Sequence, residues 1–171
     1  AVLQVNFRGS TGYGRRHTTA AIGEFAGAMH TDLIDAIDWA AAQGYADPGR
    51  VGIMGGSYGG YAALVGAALA PDRFAAAVDY VGVSDLVEFL RALPPFARPF
   101  TANSWFRYVG DPDEPAAVED MRRRSPITMV DRITTPLLVA QGANDARVVQ
   151  AEADGIVAPL RERGIPVEHI L

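Results

Sequence analysis

The chain contains neither cysteine nor lysine. Without cysteine there is no disulfide, no thiol nucleophile and no thiolate metal site. Without lysine there is no Gly-x-x-x-x-Gly-Lys-Ser/Thr phosphate loop. Long apolar runs are absent too, and none approaches the length of a membrane span. Positive charge is outnumbered: fifteen basic residues, all arginine, face twenty acidic ones, for a net charge of −5. A scattered acidic balance of that kind carries no nucleic-acid footprint. The one basic run, Arg122 to Arg124, reads as a solvated helix face. Neither a membrane nor a nucleic acid is therefore expected as a partner. With 49% hydrophobic and 20% charged residues over 171 positions, the composition is that of one globular domain with a sizeable core.

What the chain does have is glycine, eighteen of them, and five fall in one segment, Gly52-Ile-Met-Gly55-Gly56-Ser57-Tyr58-Gly59-Gly60. The apolar run from Val51 to Met54 is β-branched-rich and bounded by turn residues, which predicts a buried strand. Small and apolar residues from Tyr58 to about Leu69 predict a helix. Between them Gly55, Ser57 and Gly59 spell Gly-x-Ser-x-Gly. In a strand-to-helix turn this tight the central residue is driven into a strained backbone conformation. Its side chain is then presented above the sheet, and glycines two positions away relieve clashes. The helix behind it aims free N–H groups and a positive dipole end at the same place, which suits a developing oxyanion. The competing reading is a glycine-rich turn holding a phosphate.

Around this segment the pattern alternates. Val2 to Phe7 predicts a strand and Arg8 to Gly14 a glycine-rich loop. Thr31 to Gln43 predicts an amphipathic helix, with Leu33, Ile34, Ile37 and Ala41 at helical spacing and Asp32, Asp35 and Asp38 facing solvent. After the glycine-rich turn come a strand over Ala75 to Gly82 and a short helix to Arg91 capped by Ser84. Ala92 to Pro115 holds five of the eleven prolines together with Phe96, Phe100, Trp105, Phe106 and Tyr108. It reads equally as a lid, a pocket wall or a satellite hydrophobic cluster. A strand over Thr135 to Gln141, a helix over about Val149 to Glu162 and a last strand over Val167 to Leu171 complete the series. Strands alternating with helices imply an α/β fold with a mostly parallel sheet and its site at the carboxyl ends of the strands.

Ser57 and Asp145 both fall at such ends. A serine hydroxyl needs a base to take its proton, and an imidazole base needs a carboxylate to hold it. Asp145, after a buried strand and well downstream of Ser57, fits that carboxylate; the alternative is an Asx turn or cap for the helix that follows. No histidine fits as plainly. His17 and His30 precede Ser57, and His169 sits inside an alternating strand.

The segments VNFRGSTGYG, GIMGGSYGGY and TPLLVAQGANDARV, with EADGIVAPLRERGIPVEHIL, resemble the catalytic domain of the prolyl oligopeptidase family of serine peptidases, in its acylaminoacyl-peptidase and dipeptidyl-aminopeptidase branch. The resemblance implies an α/β-hydrolase fold and hydrolysis of short or N-blocked peptides through an acyl-enzyme, without metal or organic cofactor. It implies Ser57 as nucleophile, Asp145 as acid and the Tyr58 backbone N–H as an oxyanion donor. Arg147 falls where a guanidinium binds a substrate carbonyl, and Val148, Val81 and Trp105 fall near the pocket. Arg8 lies in a family motif and is expected to serve loop packing. The family's HGG-type oxyanion loop, its glycine-flanked catalytic histidine and its β-propeller have no counterpart in residues 1–171. The stretch is therefore expected to be a partial catalytic domain, with a hole in its sheet between residues 2–7 and 50–54. On its own it is expected to be inactive and poorly folded, the histidine lying past residue 171. A cytoplasmic location and a homo-oligomeric full-length protein are further expectations. A carboxylesterase on the same scaffold and an inactive binding module are the other readings.

Overall fold

The computed structural model describes residues 1–171, the side chains of Pro95 and Arg98 excepted. Its four strands are β1 (Gly52–Gly56), β2 (Ala76–Tyr80), β3 (Leu137–Ala140) and β4 (Val167–Ile170). They form one parallel sheet in the order β1-β2-β3-β4. Parallel neighbours require crossovers, and helices supply each one. The helix α3 (Tyr58–Leu69) joins β1 to β2, and α8 (Gln150–Glu162) joins β3 to β4. Between β2 and β3 lie α4 (Leu86–Ala92), α5 (Arg98–Thr101), α6 (Trp105–Tyr108) and α7 (Pro115–Arg123), while α1 (Arg15–Thr19) and α2 (Ala28–Ala42) precede the sheet. Register aligns Gly56 with Tyr80, Tyr80 with Ala140, and Ala140 with Ile170. The carboxyl ends of all four strands are therefore level, and the loops that leave them share one edge.

Packing explains why α3 is so rich in glycine and alanine. Every residue from Gly60 to Ala68 is buried, so the helix has no polar face and needs none. Its Leu64, Ala67 and Ala68 meet Ala77, Val139, Ile133, Ile156 and Leu160 on one side of the sheet. A second cluster gathers Phe25, Tyr61, Leu86, Phe89, Met121 and Val148 above the strand ends. Burying each large apolar side chain contributes on the order of 1.5–3 kcal/mol, and the second cluster lies where the site is expected.

Four expectations are corrected. Residues 2–7 form no strand: the segment joins no ladder, and Val2 is 98% exposed. A segment cannot close ladder bonds without a neighbour alongside, and a groove of about 1160 Å³ lies between this one and β1, lined by Leu33, Ile37 and Ala62. That groove occupies the place of the expected hole, and β1 is an edge strand with Met54 exposed on it. The cap of α4 is Asp85, whose side chain accepts from the Val87 and Glu88 N–H groups; Ser84 is engaged elsewhere. Asp32 does not simply face solvent, because it clamps Arg8 through the backbone N–H (2.9 Å), Nε (2.8 Å) and Nη2 (2.7 Å). That is the loop-packing role expected of Arg8. Finally, Arg124 is not part of a solvated face. Its guanidinium pairs with Asp120 and donates to the Val109 carbonyl, and its own carbonyl accepts from the Tyr61 hydroxyl at 2.9 Å.

Candidate active site

A single residue, Ser57, connects β1 to α3, and it pays for that brevity with φ 55° and ψ −116°. This left-handed φ is uncommon for a side chain with a Cβ. Three contacts hold it there. The Ser57 N–H donates to the Tyr80 carbonyl (2.9 Å), its carbonyl accepts the first helical bond from Tyr61 N–H (3.1 Å), and Gly55 lets the two elements close. A Cβ at Gly55 would lie 2.5 Å from the Gly59 carbonyl. The crowding is one-sided, since a Cβ at Gly59 would meet nothing within 4 Å. The Ser57 hydroxyl makes no cap bond to its own helix, so it stays free for chemistry. The N–H groups of the first turn, Tyr58 among them, point out of the helix end unused by its ladder.

Asp145 lies on the loop that leaves β3. Buried Gln141 pins both ends of that loop, its Nε2 donating to the carbonyls of Gly142 (3.1 Å) and Val148 (2.8 Å). Within it, Asp145 Oδ1 accepts from the N–H groups of Val148 (2.9 Å) and Arg147 (2.8 Å). These two bonds hold the carboxyl below its ordinary range. The Asx-turn alternative is thus realised on one oxygen. Oδ2 carries no bond among the described residues, which leaves a charged, oriented oxygen for a further donor.

The other candidates sort by environment. Arg147 is exposed, and its guanidinium has no bond among the described residues. Val148 is 2% exposed and packs into the upper cluster, so its side chain is core. Val81 follows β2 directly, level with Ser57, and adopts φ 47°, a true outlier for a β-branched residue. Its N–H donates to the Ala140 carbonyl at 2.8 Å. Trp105 stacks edge-on against Phe89 (4.9 Å) and Phe25 (6.0 Å). Phe25 in turn meets Tyr58 (4.8 Å) and Tyr61 (5.5 Å), and Phe7 meets Tyr58 (5.4 Å). An aromatic cluster therefore runs from Trp105 to the residue beside the serine. Phe96 and Phe100, on the same proline-rich excursion, stay exposed and do not join it. Burial pushes the Tyr58 and Tyr61 phenols well above their ordinary range, so both stay neutral. Phe25 went unread in the sequence, and Phe7 was read only as the end of the strand expected at 2–7.

No imidazole completes the pair. His17 Nε2 lies 3.1 Å from the Phe7 carbonyl. His30 is half-buried, and that burial lowers its pKa. His169 sits within β4, paired in register with Val139. Among the described residues none of the three bonds to Ser57 or Asp145, and none belongs to a group of three or more residues able to hold a metal ion.

Behind the acid loop lies a polar knot that the sequence did not announce. Glu152 Oε2, in the first turn of α8, accepts from Ser84 N–H (2.7 Å), Ser84 Oγ (2.8 Å) and Asp85 N–H (2.8 Å). Ser84 Oγ also lies 2.8 Å from the Glu152 carbonyl. Ser84 is 0% and Glu152 4% exposed. The knot fastens the helix after the acid loop to the loop after β2.

Comparison with known proteins bears on this geometry. Residues 1–171 match the model of the prolyl oligopeptidase family. Dipeptidyl aminopeptidase BIII of Pseudoxanthomonas mexicana is 51% identical over 171 residues, all of this chain and 25% of that protein. Dipeptidyl peptidase family member 6 of Caenorhabditis elegans is 44% identical, again over the whole chain and 23% of its own length. A puromycin-hydrolyzing peptidase of Mycobacterium tuberculosis superposes with a TM-score of 0.86 at 32% identity, over 96% of this chain and 24% of that one. The chain thus spans about a quarter of the length of these relatives, and its sheet and helices are those of an α/β-hydrolase fold.

Proposed function

The chain belongs to the prolyl oligopeptidase family, and from that premise we infer that it carries the nucleophile and the acid of a serine peptidase acting on short or N-blocked peptides. The observation that carries this reading is the conformation of Ser57, a strained serine whose hydroxyl is left free of its own helix cap. Ser57 Oγ attacks the scissile carbonyl carbon. Its proton passes to an imidazole, and the Asp145 carboxylate, oriented by two backbone bonds, accepts the other ring N–H and stabilises the imidazolium. Since His17, His30 and His169 are occupied or embedded elsewhere, that imidazole belongs to a histidine outside residues 1–171. The negative oxygen of the tetrahedral intermediate is met by the Tyr58 N–H and the positive end of α3. The imidazolium then protonates the leaving amine, and water hydrolyses the acyl-serine by the same steps in reverse. Arg147 holds a substrate carbonyl at the rim, while Val81 and Trp105 wall the pocket.

The test uses the protein expressed from its full reading frame, assayed on an N-blocked peptide anilide and on a simple ester. Ser57→Ala is expected to abolish turnover of both, and Asp145→Asn to lower kcat by roughly 10⁴, as loss of a triad carboxylate does. Retained turnover in Ser57→Ala overturns the reading. Ester cleavage without peptide cleavage in the parent protein would reassign it as a carboxylesterase.

A further inference from the structure

Asp79 is the least explained acid in the molecule. It stands on β2, directly before the residue whose carbonyl holds the Ser57 N–H. Its side chain is 1% exposed and faces α3. Gly60, in the first turn of that helix, and Gly82, in the loop after β2, close over it so tightly that a Cβ on either would overlap Oδ1. That oxygen is buried without a hydrogen-bond partner. On the flanking strands its register partners are Gly55 and Val139, which offer no charge. Among the described residues the titratable group acting on it is Glu152 of α8, itself a carboxylate, while the Gly82 N–H and the positive end of α3 favour the ionised form. A dry carboxyl beside a like charge, with no cation paired to it among the described residues, keeps its proton. Burial and Glu152 together raise its pKa to about 7.

We propose that Asp79 is a positioning residue for the nucleophile: a neutral carboxylic acid beneath the first turn of α3, whose ionisation counteracts the positive helix end offered to the oxyanion. The proposal rests on Ser57 being the nucleophile. A carboxylate under that turn opposes negative charge developing on the other side of the same N–H groups. Charges at helix ends typically change energies by 0.3–1 kcal/mol, so ionisation slows acylation by roughly two- to fivefold. The activity therefore falls on the alkaline side of neutrality, through a group that never touches substrate. The sign for stability follows the same proton. The unfolded chain releases it near 3.8, while the folded protein keeps it to about 7. Stability attributable to Asp79 is thus greatest below pH 4 and declines as pH rises toward 7.

The experiment compares the full-length protein with Asp79→Asn, which keeps the shape of the carboxyl without its charge. The ratio of kcat/KM at pH 9 to that at pH 6.5 is expected to be roughly two- to fivefold higher in Asp79→Asn, and the downward trend of Tm between pH 4 and 7 to be shallower. An unchanged ratio overturns the proposal. Should the variant not fold, the infrared spectrum of the parent protein decides. A protonated-carboxyl band that persists at pH 5.5 and vanishes by pH 9 supports the assignment, and its absence at pH 5.5 refutes it. Because the band and the Tm trend do not depend on catalysis, full turnover by Ser57→Ala would sink the nucleophile reading while leaving the protonation of Asp79 separately measured.

Discussion

At the residue scale, the site turns on where a methyl group fits. Gly55 and Gly59 look equivalent in Gly-x-Ser-x-Gly, but only Gly55 faces the opposing backbone, 2.5 Å from where its Cβ would stand. Gly55→Ala must push β1 and α3 apart. It is expected to cost about 1–3 kcal/mol in urea unfolding and to remove reactivity at Ser57. Gly59→Ala places a methyl in open space within a helix, where alanine is favoured by up to about 1 kcal/mol, and should be neutral or stabilising. Equal destabilisation by both would show that the turn is not built as described. Ser57 and Asp145 were legible as candidates in the sequence because each is marked by local chemistry: two glycines about a serine after a short apolar strand, and an aspartate after another. Val81 was named only through the family resemblance. Its left-handed φ has no signal in the residues themselves, since nothing local asks a valine to adopt it.

At the element scale, local patterns placed the helices and strands well, and long-range pairing placed the polar contacts. The helix over Tyr58–Leu69 coincides with its sequence expectation because small residues permit burial on every side. The strand expected at 2–7 is absent because a strand is a relation between segments, and this one has no ladder partner. Glu152 and Ser84, 68 residues apart, could not be linked by spacing, and without that link Ser84 read as a cap. Their knot makes a prediction of its own. Glu152→Ala leaves the Ser84 and Asp85 N–H groups without their acceptor, while the Ser84 hydroxyl keeps the backbone carbonyl of residue 152. It should cost roughly 2 kcal/mol or more, at about 1–3 per unsatisfied group. Glu152→Gln keeps one acceptor oxygen and should cost less. If the two variants unfold at the same urea concentration, the knot is not holding α8 to the loop after β2.

At the scale of the whole molecule, the level ends of four parallel strands bring Ser57, Val81 and the Asp145 loop to one edge. That convergence turns separate motifs into a candidate site. An aromatic cluster reaching Tyr58 borders it, and a buried neutral acid underlies it. On the far side of β1 the groove beside residues 1–7 leaves a sheet edge unpaired, and long, flat, apolar edges are where strands add. The central claim is that Ser57 is the nucleophile. Its most direct measurement is to treat the protein expressed from its full reading frame with a fluorophosphonate, digest it and locate the adduct by mass spectrometry. The account predicts one adduct, on the peptide containing Ser57, that disappears in Ser57→Ala. An adduct on another residue, or none on a folded parent protein, would contradict it.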